Sequence, residues 1–264
     1  MRRGRSLCRL GNDMLISDGL DMLELEMKLG GRSMMIHPVI INDKNDWTLI
    51  DTGMPGLATD ILSYAEKAGI SKKPLRAIIL THQDIDHIGG FPGFLDDSGE
   101  APFDVYAHAD DRDTIDGKAD LLKFPSENLA AELASVSDDV RKKYENTFLR
   151  PSNPNVKQLL TDGMTLPMGG GLTVIHTPGH TPGHVSLYHH DSKTLIASDA
   201  LVIHNGELQP SSPYSTVNMD QALQSLEKFT PFDIETVVCY HGGLMRGNIN
   251  EKIAALIASH SPIS

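Results

Sequence analysis

Cysteine is almost absent from this chain, which has only Cys8 and Cys239 among its 264 residues. Two cysteines so far apart give neither a disulfide framework nor the close pairs of a zinc ribbon. The sequence therefore predicts a protein of a reducing compartment. A chain of this length can bury a full apolar core, and we expect a single domain over residues 1–264.

Positive charge is also scarce, with 23 Lys and Arg against 35 Asp and Glu and a formal net charge of -12. A protein that binds a nucleic-acid backbone normally carries excess positive charge, because it must neutralise phosphates. We therefore expect no nucleic-acid partner.

Long apolar runs are missing too, and none reaches the length of a membrane span. Residues 1–10 hold four arginines, but no apolar stretch typical of a secretory signal follows them. We expect no membrane association and a cytoplasmic location. The sequence predicts no particular oligomeric state.

A dense group of ligand-type side chains occupies residues 81–90, THQDIDHIGG, and consists of His82, Asp84, Asp86 and His87. It follows the apolar run 77–80, which predicts a buried strand, and precedes 89–91, where we expect a helix to begin. Neighbouring carboxylates repel one another, and a divalent cation removes that repulsion. The alternative is an acidic turn that caps the next helix.

The rest of the chain alternates short apolar runs with helically spaced segments. Runs at 22–27, 34–41 and 47–50 predict a β-meander. We expect later strands at 105–107, 172–175, 185–188, 194–197 and 236–238, and helices at 57–68, 219–228 and 249–259. Residues 110–150 are mostly polar with apolar residues at helical intervals, which predicts a helical insertion or lid. This alternation indicates a layered α/β protein.

Three further candidate ligands follow predicted strands in the second half of the chain: His180, Asp199 and His241. Taken singly, such residues are more often structural, since Asp readily bonds nearby backbone. Together with the first group they make seven candidates. That number is enough for two metal ions that share one carboxylate.

Five motifs carry a family resemblance: Asp51-Thr-Gly, THQDIDHIGG, TPGHTPGH at 177–184, SDA at 198–200 and YHGG at 240–243. In this order they resemble the metallo-β-lactamase-fold hydrolases over roughly residues 15–245. The resemblance implies an α/β fold, namely an αββα sandwich of two mixed β-sheets flanked by helices. It also implies a two-metal site at the sheet edges.

The resemblance further implies a role for each candidate. His82, Asp84 and His180 would hold one metal ion, Asp86, His87 and His241 the other, and Asp199 would bridge the two. Asp51 would orient a ligand rather than touch metal, and His176 and His184 would be structural or support the ligands. Asp86 would carry a proton to the leaving group. The implied cofactors are two divalent metal ions, with zinc as the first choice.

Asp84 departs from the family pattern, which usually has His at this position. With two dications, three ligand aspartates and one hydroxide, the site would be formally neutral instead of retaining one positive charge. The metals would then be weaker Lewis acids, and the harder ligand set favours iron or manganese. Iron and manganese therefore remain alternatives to zinc.

Such a centre implies a hydrolase that acts on a small molecule through an activated hydroxide. The layout is most similar to the lactonase branch, which predicts a lactone or another carboxylic ester as substrate. Members of that branch commonly carry a tyrosine three residues after the bridging aspartate, where this chain has Val202; Tyr214 or His204 could replace it. We expect residues 110–150 and 204–216 to determine specificity.

Other functions stay open at this point. A glyoxalase-II-like thioester hydrolase has a similar metal site, and a di-iron enzyme that handles oxygen or sulfur suits the acidic residue at 84. Residues 49–53, LIDTG, match an aspartic-protease motif with Asp97-Ser-Gly as its partner, although no apolar strand precedes the second copy. A binding protein with an inactive site is disfavoured, because all seven ligand positions are filled.

Overall fold

The computed structural model describes residues 14–29 and 32–260 of the chain. Cys8 and the arginine-rich residues 1–10 lie outside these ranges, and so do the outer limits of the predicted domain.

Short strands and helices alternate along the described residues. The strands are, in chain order, β1 (Met14–Ser17), β2 (Leu20–Met22), β3 (Leu25–Leu29), β4 (Arg32–Ile36), β5 (Val39–Asn42), β6 (Trp47–Ile50), β7 (Leu75–Ile79), β8 (Asp104–His108), β9 (Gln158–Leu160), β10 (Thr165–Leu166), β11 (Leu172–His176), β12 (Val185–His189), β13 (Thr194–Ser198), β14 (Leu201–His204), β15 (Glu207–Pro210), β16 (Thr236–Cys239) and β17 (Gly243–Arg246). The helices are α1 (Ala58–Lys67), α2 (Ile85–Ile88), α3 (Ala109–Ile115), α4 (Ser126–Ser135), α5 (Asp138–Tyr144), α6 (Met219–Ser225) and α7 (Ile249–His260).

Two mixed sheets form the centre of the molecule. The first orders its strands β1-β2-β5-β6-β7-β8-β9 and the second β10-β11-β12-β13-β16-β17. Strands β6 to β9 pair in parallel, as do β13 and β16, whereas the other neighbours are antiparallel. Two hairpins, β3-β4 and β14-β15, stand apart from both sheets.

The two sheets pack face to face through alternate residues of their strands. Ala77 and Ile79 of β7 share one apolar cluster with Val174 and Leu187 of the second sheet. Ile78, between them, points to the opposite face and joins a different cluster. Because both faces of β7 are buried from Ala77 onward, residues 77–79 are all apolar rather than alternating.

Helices cover the outer face of each sheet. On the first sheet, Ile61 of α1 packs in the same cluster as Leu49 of β6. On the second, Phe229, just after α6, and Ile253 of α7 pack with Val237 of β16. Full burial of such side chains stabilises the fold by roughly 1.5–3 kcal/mol each. The order helix, sheet, sheet, helix is the αββα sandwich that the motifs imply.

Helices α3 to α5 lie between β8 and β9, in the segment where the sequence predicts helices. Leu133, Tyr144 and Phe148 are buried and join the cluster under the first sheet. This segment therefore packs on the body of the protein as well as reaching the site described below. Within residues 14–29 and 32–260, no helix has both the length and the apolar character needed to cross a membrane.

The single strands predicted at 22–27 and 34–41 are wrong, because each run is divided between two sheets. Each supplies one strand to the first sheet and one to the β3-β4 hairpin. Pro38 has no N–H for a sheet ladder, and its carbonyl accepts a bond of 2.9 Å from the Leu23 amide. The chain leaves the first sheet at these two positions, and the hairpin projects towards the candidate site.

Candidate metal centre

The predicted ligands converge at one edge of the sandwich because several strands end there. Asp51 follows β6, the stretch 81–87 follows β7, Asp199 follows β13 and His241 follows β16 shortly after its end. His180 comes from the loop between β11 and β12. The carboxyl ends of parallel strands in α/β sheets commonly form ligand crevices.

All seven predicted ligands lie in two neighbouring groups. The first donor group consists of His82, Asp84, His180 and Asp199, and the second of Asp86, His87 and His241. Within each group the potential ligand atoms lie within 4.8 Å of one another. Asp199 also faces the second group, since its Oδ1 is 3.5 Å from His87 Nε2 and its Oδ2 is 3.4 Å from His241 Nε2.

Several atoms of these groups are buried and unpaired. His82 Nε2, His87 Nε2 and Asp199 Oδ1 have no hydrogen-bond partner among the described residues. His82 Nε2 is 3.2 Å from Asp84 Oδ2, but not in hydrogen-bonding geometry. Leaving such an atom unsatisfied costs about 1–3 kcal/mol. Imidazole nitrogen and carboxylate oxygen are ligands for zinc, iron and manganese, so the residues present fit divalent metal ions.

The helix start predicted at 89–91 is confirmed, because a 3₁₀ helix spans Phe91–Phe94. The sequence did not predict the short helix α2, which precedes it and begins at Ile85. Asp84 occupies the position before the helix, yet its side chain makes no capping hydrogen bond and turns towards the histidines instead. The glycines that precede the 3₁₀ helix also allow close packing. A Cβ on Gly90 would lie 2.0 Å from the Thr52 carbonyl oxygen.

The electrostatics of the centre favour a bound cation. Burial lowers the pKa of His82, which keeps the imidazole neutral. Burial alone would raise the pKa of Asp84, but His82 and Lys123 help to hold it well below its usual range. Burial opposes protonation of His241, yet Asp199 raises its pKa to about 10. The carboxylates thus stay deprotonated, and their negative charges favour a bound metal ion.

Asp51 contacts a candidate ligand and lies outside both donor groups. Its Oδ2 accepts a hydrogen bond of 2.8 Å from His87 Nδ1, and its Oδ1 accepts one of 2.8 Å from the Thr81 amide. The Thr81 hydroxyl lies 2.7 Å from Asp51 Oδ2 and 2.7 Å from Ser198 Oγ. Asp51 and Ser198 have positive φ values of 60° and 51°, and such backbone strain often accompanies functional sites.

His184 lies beside the centre, whereas His176 does not. His184 Nε2 accepts a hydrogen bond of 3.1 Å from the Asp199 amide, and its Nδ1 faces Thr177 Oγ1 at 2.8 Å. Burial holds the pKa of His184 well below its ordinary value, so the ring is neutral and can accept that bond. His176 stacks on His108 at 3.8 Å, away from the two donor groups.

Asp111, which the sequence did not single out, joins the two loops that carry ligands. This buried carboxylate accepts from the Gln83 amide at 3.0 Å and from Gln83 Nε2 at 3.0 Å. It also accepts from Thr181 Oγ1 at 2.6 Å and from the Gly183 amide at 2.9 Å. No motif marks Asp111, because it is one acid among many in a polar segment.

Tyr240 and Lys123 also contact candidate ligands, and the sequence analysis did not identify either residue. The Tyr240 ring lies 3.8 Å from the His87 ring, and its hydroxyl donates to the Asp86 carbonyl at 2.6 Å. Lys123 Nζ lies 2.5 Å from Asp84 Oδ2. Tyr240 could have been identified from its place next to His241 in the YHGG motif. No sequence motif marks Lys123.

The aspartic-protease alternative is wrong. Asp51 is buried and bonded to Thr81 and His87, whereas Asp97 is exposed. Two carboxylates so differently placed do not share a proton.

A cleft of about 1360 Å³ opens above the two donor groups. Its apolar lining includes Met34 and Met35 of the β3-β4 hairpin, Leu121 and Phe124 of the 110–150 segment, and Val202. Tyr214 and His204 also line the cleft, and both are exposed. The segments expected to determine specificity therefore border the same space as the predicted ligands.

Known proteins resemble this chain in sequence and in fold. The family model described as Metallo-beta-lactamase superfamily matches residues 34–241. Probable metallo-hydrolase YflN of Bacillus subtilis (strain 168) is 30% identical over 220 residues, which cover 78% of this chain and 79% of that protein. Acyl-coenzyme A thioesterase MBLAC2 of Homo sapiens is 28% identical over 184 residues, or 64% of this chain and 59% of that protein.

Among solved structures, a metallo-beta-lactamase from Pontibacter korlensis matches with a TM-score of 0.65 at 17% identity. The match covers 94% of this chain and 98% of that one, and it shows a common fold. With the family match over residues 34–241 and the identity to a metallo-hydrolase, the chain belongs to the metallo-β-lactamase superfamily.

Proposed function

We propose that this protein is a dinuclear metal-dependent hydrolase that cleaves a lactone or another carboxylic ester in a small molecule. The observation that carries the proposal is the place of Asp199, whose carboxylate lies 3.3 Å from His180 Nε2 and 3.5 Å from His87 Nε2. A carboxylate there can serve both donor groups, so seven side chains suffice for two ions. Zinc is the first choice, and Asp84 keeps iron and manganese as alternatives.

Two divalent ions in such a centre supply an activated hydroxide and a Lewis acid for the substrate carbonyl. Asp86 lines the cleft, with its Oδ2 3.2 Å from His241 Nε2, and we assign it the transfer of a proton to the leaving group. Asp51 keeps His87 in one orientation, and His184 holds the backbone of Asp199. These contacts fix the donor atoms before substrate binds.

The cleft favours a substrate with an apolar acyl portion. Met34 and Met35 are 41% and 40% exposed, although both are large apolar side chains. They line the same space as Leu121 and Phe124. Apolar linings with a few polar groups at the reacting end are typical of small-molecule sites.

A thioester is the second candidate substrate. Its support is the similarity to a protein described as an acyl-coenzyme A thioesterase, together with the same apolar cleft. A thioester and an ester present the same carbonyl to the centre. The two candidates differ in the leaving group, which is an alcohol for an ester and a thiol for a thioester.

Metal analysis combined with a substrate panel tests the dinuclear centre and both candidate substrate classes. Protein purified without chelator is assayed for bound metals, then for hydrolysis of N-acyl lactones, aryl esters, acyl-coenzyme A thioesters, S-lactoylglutathione, a chromogenic β-lactam and a phosphodiester. We expect two ions per chain and kcat/KM that rises with acyl length among lactones or esters. Preference for thioesters selects the second candidate. Absence of metal after reconstitution contradicts the dinuclear proposal, and colour with oxygen-dependent activity indicates a di-iron enzyme.

A further inference from the structure

Lys123 reaches the first donor group from the segment between α3 and α4. Its Nζ lies 2.5 Å from Asp84 Oδ2, 2.6 Å from His180 Nε2 and 2.7 Å from the Ser215 carbonyl oxygen. The side chains of Lys123 and Asp84 are each only 17% exposed. A lysine so placed is part of the centre and not of the solvated surface.

The backbone around Lys123 is held in place by the ligand loop itself. The Leu122 amide donates to Gln83 Oε1 at 3.1 Å. Gln83 is fixed in turn by Asp111, which accepts from its side chain at 3.0 Å. Lys123 is therefore positioned by the same network that orders residues 81–87, and its ammonium joins two walls of the cleft.

The positive charge of Lys123 offsets the extra negative charge that Asp84 brings to the ligand set. Asp84 stands where the resembling family usually has a neutral histidine, which makes the first donor group more negative by one unit. Lys123 adds one positive unit at the same carboxylate. Taken together, the pair carries the net charge of the histidine it replaces.

We propose that Lys123 compensates the charge of Asp84 and so limits how tightly the first donor group holds its metal ion. The inference rests on the dinuclear centre proposed above. Lys123 acts through Asp84: its ammonium competes with a metal ion for the Asp84 carboxylate and repels that ion. A purely structural lysine would instead help to assemble the group.

These two roles predict opposite changes in metal affinity when Lys123 is replaced. Replacing Lys123 with the similarly long, uncharged methionine (Lys123→Met) should tighten the first site on the order of tenfold, because a positive charge near a dication is removed. Lys123→Arg keeps the charge and should stay within about threefold of the parent. Asp84→His alone removes a negative charge from the first donor group and should loosen the first ion, and Lys123→Met added to it should restore tighter binding.

The test measures zinc dissociation constants by competition with a chromophoric chelator, using the full chain at fixed ionic strength and without an activity assay. Lys142→Met is the matched control, because this exposed lysine lies on α5 in the same segment. The control should leave both constants unchanged. Circular dichroism verifies folding, and Lys123→Gln replaces Lys123→Met if the latter does not fold.

Tighter zinc binding in Lys123→Met, with the second ion unaffected, supports the proposal. Unchanged or weaker binding in a parent that holds two ions overturns it while leaving the dinuclear centre intact. A parent that holds one ion or none overturns the dinuclear centre and this inference together.

Discussion

The two donor groups are braced by different parts of the molecule. In the second group, His87 is held by Asp51 at the end of β6 and covered by the ring of Tyr240 after β16. In the first group, Asp84 contacts Lys123, which belongs to the wall of the cleft. The second group is thus supported by the sandwich, whereas the first is coupled to the segment expected to determine specificity. Variants at each support should affect the two proposed metal positions separately.

Asp199→Ala should affect both donor groups at once, because Asp199 is the one residue assigned to both. We expect loss of metal from both positions and a fall in hydrolysis of at least about a thousandfold, comparable to removal of a group on which catalysis depends. Metal analysis and kcat/KM on the best panel substrate measure it. Retention of two ions with full activity would move the bridge to another residue.

Asp51→Asn should affect the second group selectively. An amide keeps one acceptor oxygen but loses the negative charge that His87 Nδ1 contacts at 2.8 Å. Substitutions at residues that orient a ligand typically lower metal affinity roughly 10–100-fold. We therefore expect the second ion to dissociate first in a chelator titration while the first ion is retained.

Asp97→Asn is the control for that experiment, since Asp97 is exposed and belongs to the rejected protease motif. It should change neither metal affinity nor activity. Equal losses in both variants would contradict the selective role of Asp51.

Asp111→Asn should weaken the join between the ligand loops and so affect the first group through Gln83 and Thr181. The charged carboxylate accepts four hydrogen bonds, and an amide oxygen can replace only part of them. Loss of hydrogen bonds to a charged group costs about 1.5–3 kcal/mol. We expect a Tm lower by roughly 3–12 °C, measured by calorimetry with and without added zinc.

Asp113→Asn is the matched control on the same helix, because the side chain of Asp113 is 75% exposed. Its Tm should stay close to that of the parent. If Asp111→Asn were as stable as this control, the proposed brace between the loops would not exist.

The sequence predicted what is carried by strong local patterns. The buried residues 77–79 of β7 are apolar on both faces of the sheet. The seven predicted ligands follow strands or lie in motif loops, and the structure brings them together. The sequence alone could not show where an apolar run passes from one sheet to another, as at Pro38, and it did not reveal short strands such as β14 and β15. It also missed Asp111 and Lys123, because their contacts join positions far apart in the chain and leave no local signature.

Tyr240→Phe should produce the smallest effect of the series and one confined to the second group. The substitution keeps the ring that lies 3.8 Å from His87 and removes the hydroxyl that donates to the Asp86 carbonyl at 2.6 Å. Loss of one such bond costs about 1 kcal/mol, or a Tm lower by roughly 2–4 °C. Because the bond holds the backbone of Asp86, we also expect the second ion to be bound a few-fold more weakly.

Tyr188→Phe separates these two consequences. The Tyr188 hydroxyl also donates to a backbone carbonyl, that of Asp233, at 2.7 Å, and Tyr188 does not belong to either donor group. Both variants should therefore lose similar stability in thermal unfolding of metal-free protein. Only Tyr240→Phe should weaken zinc binding in the chelator competition. Equal zinc affinity in the two variants would mean that the Tyr240 hydroxyl stabilises the fold without supporting the second donor group, and its bracing would then come from Asp51 and the ring alone.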